Sequence, residues 1–88
     1  MRKKDRRRLS AVASLPCCVC GAEGVEVHHI RDGLGMGMRA GDDETIPLCF
    51  YHHRGAQGFH TLGKRAWEAM YGRQRDHLTK TNSLLKAP

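Results

Sequence analysis

Aromatic residues are scarce in this chain, at 6% of its 88 residues, and no long apolar run interrupts its polar composition. The first shortage excludes a generous hydrophobic core, because a domain this small buries too little surface to be more than marginally stable. The second excludes a membrane-spanning helix, which needs about 20 consecutive apolar residues. Acidic residues are also outnumbered, 9 against 15 Lys and Arg, leaving a formal net charge of +6. That balance favours a polyanionic partner, since every phosphate neutralised releases condensed counterion. The N-terminus is charged, and residues 9–15 are too short an apolar stretch to serve as a signal segment. The expectation is a cytoplasmic protein with reduced thiols and no membrane association.

A weakly cored chain of this size needs a staple. Reduced thiols point to a metal rather than to disulfides. The pair Cys17 and Cys20, with two residues between them, matches a second pair, Cys49 and His52, of the same spacing. Three thiolates and one imidazole make a closed tetrahedral set for a structural Zn²⁺. Gly21 follows the second cysteine, where a metal knuckle turns its backbone amides toward the thiolates. Cys18 can replace Cys17 in a shifted geometry, or it can be a small buried apolar residue.

One domain is expected, with residues 1–14 as a basic flexible tail and residues 15–88 as the zinc-stabilised module. Six of the seven residues from Arg2 to Arg8 are basic. The alternation of Val25-Glu26-Val27-His28-His29-Ile30 predicts a short strand. Residues 32–41, with four glycines and two methionines, read as a loop. Thr45-Ile46-Pro47-Leu48 reads as extended, because Pro47 pushes Ile46 toward β geometry. A short helix is expected from Cys49, stopped by Gly55 and Gly58. A longer one is expected over residues 61–71, where Leu62, Ala66, Trp67, Met70 and Tyr71 form an apolar stripe and Gly72 supplies a left-handed cap. A weak terminal helix covers residues 73–85, with His77 on its surface.

Four of the six histidines fall in two strings, Val27-His28-His29-Ile30 and Cys49-Phe50-Tyr51-His52-His53. With Cys49 and His52 assigned to zinc, His28, His29, His53 and His60 are left over. Neighbours on a strand face opposite ways, so one of His28 and His29 can ligate a metal while the other approaches a water. Phosphodiester hydrolysis needs a base for that water, a Lewis acid on the phosphate oxygen and help for the leaving group. One structural metal beside one reacting metal is the layout of a small metal-dependent nuclease.

The order Cys17-x-x-Cys20, His28-His29-Ile30, a glycine-rich loop, then Pro47-Leu48-Cys49-x-x-His52-His53 resembles the ββα-metal HNH endonucleases. More narrowly, Val27-His28-His29-Ile30-Arg31, Gly35-Met36-Gly37-Met38-Arg39, Ile46-Pro47-Leu48-Cys49, His52-His53-Arg54 and Gly63-Lys64-Arg65-Ala66-Trp67-Glu68 resemble the phage recombination-enhancement, RecA-dependent nuclease family. The resemblance covers roughly residues 16–72. It implies a small α+β fold, a ββα-metal module with a zinc knuckle, a short β-hairpin and following helices. It also implies that His28 ligates the catalytic metal, that His29 is the general base and that His53 is the helical ligand. His60 is either a further ligand or a helix-start or phosphate contact. The catalytic ion would be Mg²⁺, Mn²⁺ or Zn²⁺, the substrate DNA, and a RecA filament a candidate partner in phage or bacterial recombination. The asparagine that braces the base-bearing loop in HNH enzymes is absent, and Asp42-Asp43-Glu44-Thr45 occupies its region, with Asp43 or Glu44 as replacements.

Arg31, Arg39, Arg54, Lys64 and Arg65 are candidate phosphate contacts, since guanidinium groups pair bidentately with phosphate oxygens. Met36 and Met38 read as loop packing. The expected activity is metal-dependent DNA endonucleolysis. The rival readings are a non-catalytic zinc-ribbon DNA-binding module, which leaves His28, His29 and His53 without a task, and an accessory protein that acts by binding a RecA filament.

Overall fold

A computed structural model describes residues 3–34, 38 and 40–86. They form a small α+β domain: helix α1 (Lys3–Ala13), strand β1 (Glu26–His29), strand β2 (Thr45–Leu48), then helices α2 (Phe50–His53), α3 (Phe59–Leu62), α4 (Lys64–Tyr71) and α5 (Gln74–Lys86). Among the described residues no helix is long and apolar enough to cross a membrane.

The two strands form an antiparallel hairpin in which Glu26 faces Leu48, Val27 faces Pro47, His28 faces Ile46 and His29 faces Thr45. Ile30 extends the pairing by donating its N–H to Glu44 O at 2.9 Å. A two-stranded sheet has only edge strands, which is where a proline such as Pro47 is tolerated. Its carbonyl is used, accepting the Cys18 N–H at 3.0 Å. Strand alternation puts Glu26, His28, Ile46 and Leu48 on one face and Val27, His29, Thr45 and Pro47 on the other.

The buried apolar cluster is small: Cys17, Ile30, Ile46, Leu48, Cys49 and Trp67, with Phe59, Leu62, Tyr71 and Leu78 packed at its margin. Two of those six residues are cysteines. Trp67 is fully buried, and its indole N–H donates to the His52 carbonyl at 3.0 Å. The tryptophan of α4 thus holds α2 through its backbone while filling the core.

Four expectations need correction. Residues 1–14 are expected as a flexible tail, but Lys3–Ala13 is helix α1. Its Lys, Arg, Leu and Ala content favours the helix, and tertiary contacts fix it. Val12 is fully buried, and Arg8 donates to Thr45 Oγ1 at 3.2 Å, Thr45 O at 2.8 Å and Asn82 Oδ1. The helix expected over residues 61–71 is two helices broken at Gly63, whose φ of 86° and ψ of 160° suit glycine alone. Gly72 has the expected positive φ, 96°, but its ψ of 164° is extended rather than left-handed helical. His77, expected at the surface, is buried, with its Nε2 2.8 Å from Tyr71 O and its ring beside Trp67.

Candidate metal centres

The turn at residues 17–21 is closed by Gly21 N–H donating to Cys17 O at 2.8 Å, and Gly21 takes a φ of 79°. It brings Cys17 and Cys20 toward Cys49, the residue that precedes α2, and His52 within α2. One donor atom from each of these four residues lies within 4.8 Å of every other, a group that can hold a metal ion. Cys20 Sγ is 3.7 Å from Cys49 Sγ, and Cys49 Sγ is 3.4 Å from His52 Nδ1. Two sulfurs on one tetrahedral zinc would lie ~3.8 Å apart, and a sulfur and a nitrogen ~3.6 Å, from the usual bond lengths. The sulfurs are too far apart for a disulfide, and all four cysteines of the chain are free. Cys18 is not in the group. Burial, followed by the neighbouring Cys17 thiolate, pushes its thiol up to about 12, and it packs against the core. Cys17 behaves differently: burial opposes its thiolate, but backbone donors from Cys49, Cys20 and Val19 hold it below the usual thiol range.

A second group collects His28 from β1, His53 from the end of α2 and His60 from α3, again with donor atoms within 4.8 Å of one another. His53 Nε2 and His60 Nε2 are 3.2 Å apart. Two nitrogens bound to one ion at about 2.05 Å would be separated by ~2.9 Å at an octahedral angle and ~3.3 Å at a tetrahedral one. His60 is brought there by Gly58. A Cβ at that position would lie 2.5 Å from Arg54 N and 2.6 Å from His53 C, so only glycine lets α3 start this close to the end of α2. The irregular spacing between His53 and His60 is this bend.

The surroundings of the three rings fix which nitrogens are free. His53 donates from Nδ1 to Glu26 Oε1 at 2.8 Å, leaving Nε2 as its lone-pair nitrogen. Arg54 grips the same carboxylate at 2.7–3.0 Å. Arg54, and then His53, hold Glu26 down at about 2, so it remains a carboxylate. His28 is buried at 3% exposure and donates from Nε2 to Gln74 Oε1 at 2.7 Å, which leaves Nδ1 as its lone-pair nitrogen. The orientation of the Gln74 amide is set by its other end, which donates to Asp32 Oδ1 at 3.2 Å. Burial lowers His28 to about 4 against the hydrogen bond it donates to Gln74, with His53, His60 and His29 adding to the fall. Its ring therefore stays neutral, as a metal ligand must.

His29 faces the other way. Its Nε2 donates to Asp42 Oδ1 at 2.7 Å, and its side chain is 37% exposed, against 27% for Asp42. The carboxylate leaves Nδ1 as the basic nitrogen. An open cavity of ≈ 350 Å³ lies here, lined by His29, Arg31, Met38, Ala40 and Asp42. The carboxylate that braces His29 is Asp42, the first residue of the acidic run in which Asp43 or Glu44 is expected to replace the loop-bracing asparagine. Glu44 is instead paired with Arg75, while Thr45 Oγ1 donates to the Asp42 carbonyl at 3.0 Å and fixes its loop.

Residues 1–85 match the model of a family described as a protein of unknown function, DUF968. The chain belongs to the DUF968 family. No curated protein matches it.

Of the five candidate phosphate contacts, Arg31 donates to Met38 O at 2.9 Å beside His29, Arg54 is engaged by Glu26, and Lys64 pairs with Asp32 at 3.2 Å. Arg65 is exposed on α4. Arg39 and Met36 lie outside the described residues. Glu26, Gln74 and Asp42 are site residues that the sequence reading does not single out. Glu26 had a signal, since it stands two residues before His28 and so shares its strand face. Gln74 had none, being 46 positions from the histidine it orients.

Proposed function

We propose that this chain is a metal-dependent DNA endonuclease of the HNH, ββα-metal type. The observation that carries the reading is the pairing of an open three-histidine group with a separate carboxylate-braced histidine, one from each of two adjacent residues on β1. In this reading Cys17, Cys20, Cys49 and His52 hold a structural Zn²⁺, and His28, His53 and His60 hold a catalytic divalent ion. When bound, such an ion would supply Lewis-acid charge neutralisation for phosphodiester hydrolysis.

The residues of the chain do the rest. His29 Nδ1 accepts a proton from the attacking water, while Asp42 keeps the ring in the correct tautomer and stabilises the imidazolium that forms. Asp42 takes the place of the HNH asparagine, with the difference that it contributes a full negative charge. Glu26 and Gln74 hold His53 and His28 in their ligating tautomers, the usual role of carboxylates and amides behind metal-bound histidines. Arg31, beside the His29 cavity, is placed to meet a phosphate.

A purely binding zinc ribbon would need only the four-ligand group and would leave the His29–Asp42 pair without work. The deciding experiment is nicking of supercoiled plasmid by zinc-loaded protein with added Mg²⁺ or Mn²⁺, with and without a RecA filament, and with His29→Ala alongside. Metal-dependent nicking lost in the variant supports the endonuclease. Intact plasmid under every condition, from folded protein, rejects it.

A further inference from the structure

Helix α1 divides its charges between two faces, and only one of them serves the fold. Arg8 and Val12, one turn apart, point inward: Val12 is fully buried, and Arg8 is spent on Thr45 and Asn82. At 3.6 residues per turn, Lys3, Arg6, Arg7, Ser10 and Ser14 form a stripe roughly opposite. Those five residues, with Ala11, line an open cavity of ≈ 540 Å³ along the outer face of α1. Lys3, Arg6 and Arg7 are exposed, and none makes an ion pair or side-chain hydrogen bond among the described residues. Asp5, the helix's one carboxylate, is half-buried and falls by the same periodicity on the inner side. Three cations therefore line one helical face with no anion paired to them among the described residues.

The direction of this face also matters. Thr45 is the cross-strand partner of His29, and cross-strand partners share a sheet face. Since Arg8 reaches Thr45 Oγ1, α1 rests on the side of the hairpin that carries His29, not the side that carries His28.

We propose that the outer face of α1, through Lys3, Arg6 and Arg7, is a preformed docking surface for the phosphate backbone of duplex DNA. The inference rests on the endonuclease reading for its choice of DNA, but it concerns binding rather than cutting. The surface is separate from both metal-ligand groups. Because the helix is already packed through Arg8 and Val12, docking does not carry the ordering cost that a disordered tail would pay. Charge complementarity selects the occupant: three free cations on one turn and a half suit successive phosphates, and they read no sequence.

The test uses the zinc-loaded 88-residue chain carrying His29→Ala, so that the probe stays intact whether or not the chain cuts. A fluorescein-labelled duplex of arbitrary sequence is titrated by anisotropy between about 50 and 200 mM salt. Replacing Lys3, Arg6 and Arg7 together by Gln is expected to flatten the plot of log affinity against log salt by about 2 to 3 units, with circular dichroism unchanged. The charge-conserving triple variant Lys3→Arg, Arg6→Lys, Arg7→Lys is expected to keep the original slope. An unchanged slope in the Gln variant overturns the docking surface, yet leaves the nicking result to judge the nuclease. A slope lost equally in the charge-conserving variant also overturns it. If the Gln variant keeps the DNA slope but loses binding to phosphatidylglycerol vesicles, the partner is a lipid surface and the proposal fails.

Discussion

The two ligand groups hang from one helical turn and are built in opposite ways. Cys17, Cys20, Cys49 and His52 bring four donor atoms together, enough to fill every position of a tetrahedral ion with protein atoms, and three of the four residues are buried. His28, His53 and His60 offer three nitrogens, from one buried, one half-buried and one exposed residue, one donor short of a closed tetrahedral set. The first group has soft sulfur donors and stands in for part of an undersized core. The second has only imidazoles, each of its two inner members steered by a polar neighbour, Gln74 or Glu26. A closed set suits a structural ion, and an incomplete set suits an ion that must also meet substrate.

The comparison breaks most sharply if the first group is removed. Cys49→Ser, or chelation, is expected to abolish the cooperative thermal transition seen by circular dichroism, because ligand binding and folding are one equilibrium in domains this small. A transition that survives chelation would remove the structural role. Next in size, His29→Ala should lower nicking by about 10²- to 10⁴-fold while leaving that transition in place. Loss of folding in this variant would instead make His29 a structural residue. Asp42→Asn is expected to cost roughly 10²-fold in rate, again with the fold intact, since it removes the charge behind the base but not the hydrogen bond. Nicking at the wild-type rate would remove Asp42 from the mechanism. Glu26→Gln tests the open group. Calorimetric titration of Mn²⁺ into zinc-loaded protein should show a 10- to 100-fold weaker second site, while an equal affinity would mean that Glu26 serves only Arg54.

The smallest effect concerns acid. His28 lies lowered to about 4 through burial, among His53, His60 and His29. As pH falls from about 6.5, the unfolded chain protonates this ring and the folded chain does not, so stability is lost down to the folded value and not further. Between pH 7 and pH 5 the loss is ~2 kcal/mol by that linkage. Urea denaturation of zinc-loaded protein should show a decrease smaller by this amount in His28→Gln. Identical decreases in variant and wild type would assign the pH dependence to other groups.

Much of this arrangement was legible in the order of residues. The Cys and His spacings are local, and local spacing determines which side chains meet across one turn or one strand, so both ligand groups could be anticipated. The hairpin and the break after α2 followed from alternation and glycine in the same way. What escaped was non-local. Arg8 makes its bonds 37 and 74 positions away, so a basic run that looks solvated in sequence is anchored in space. His77 is drawn inward by a carbonyl at the end of α4 that its own helix does not contain. Asp42 was one of three adjacent acids, and which of them braces His29 depends on the path of a loop rather than on composition. Gly63 was inside an apolar stripe whose period favoured continuity, and its backbone conformation overrode that period.

The shortness of α2 has a consequence of its own. Four residues are too few to hold a helix without outside help, and this turn contributes His52 to one candidate ligand group and His53 to the other. Any ion that orders the turn therefore lowers the cost of arranging the neighbouring ligand. By thermodynamic linkage the effect is mutual: if both groups take ions, whatever factor one occupancy adds to the affinity of the other is returned in full.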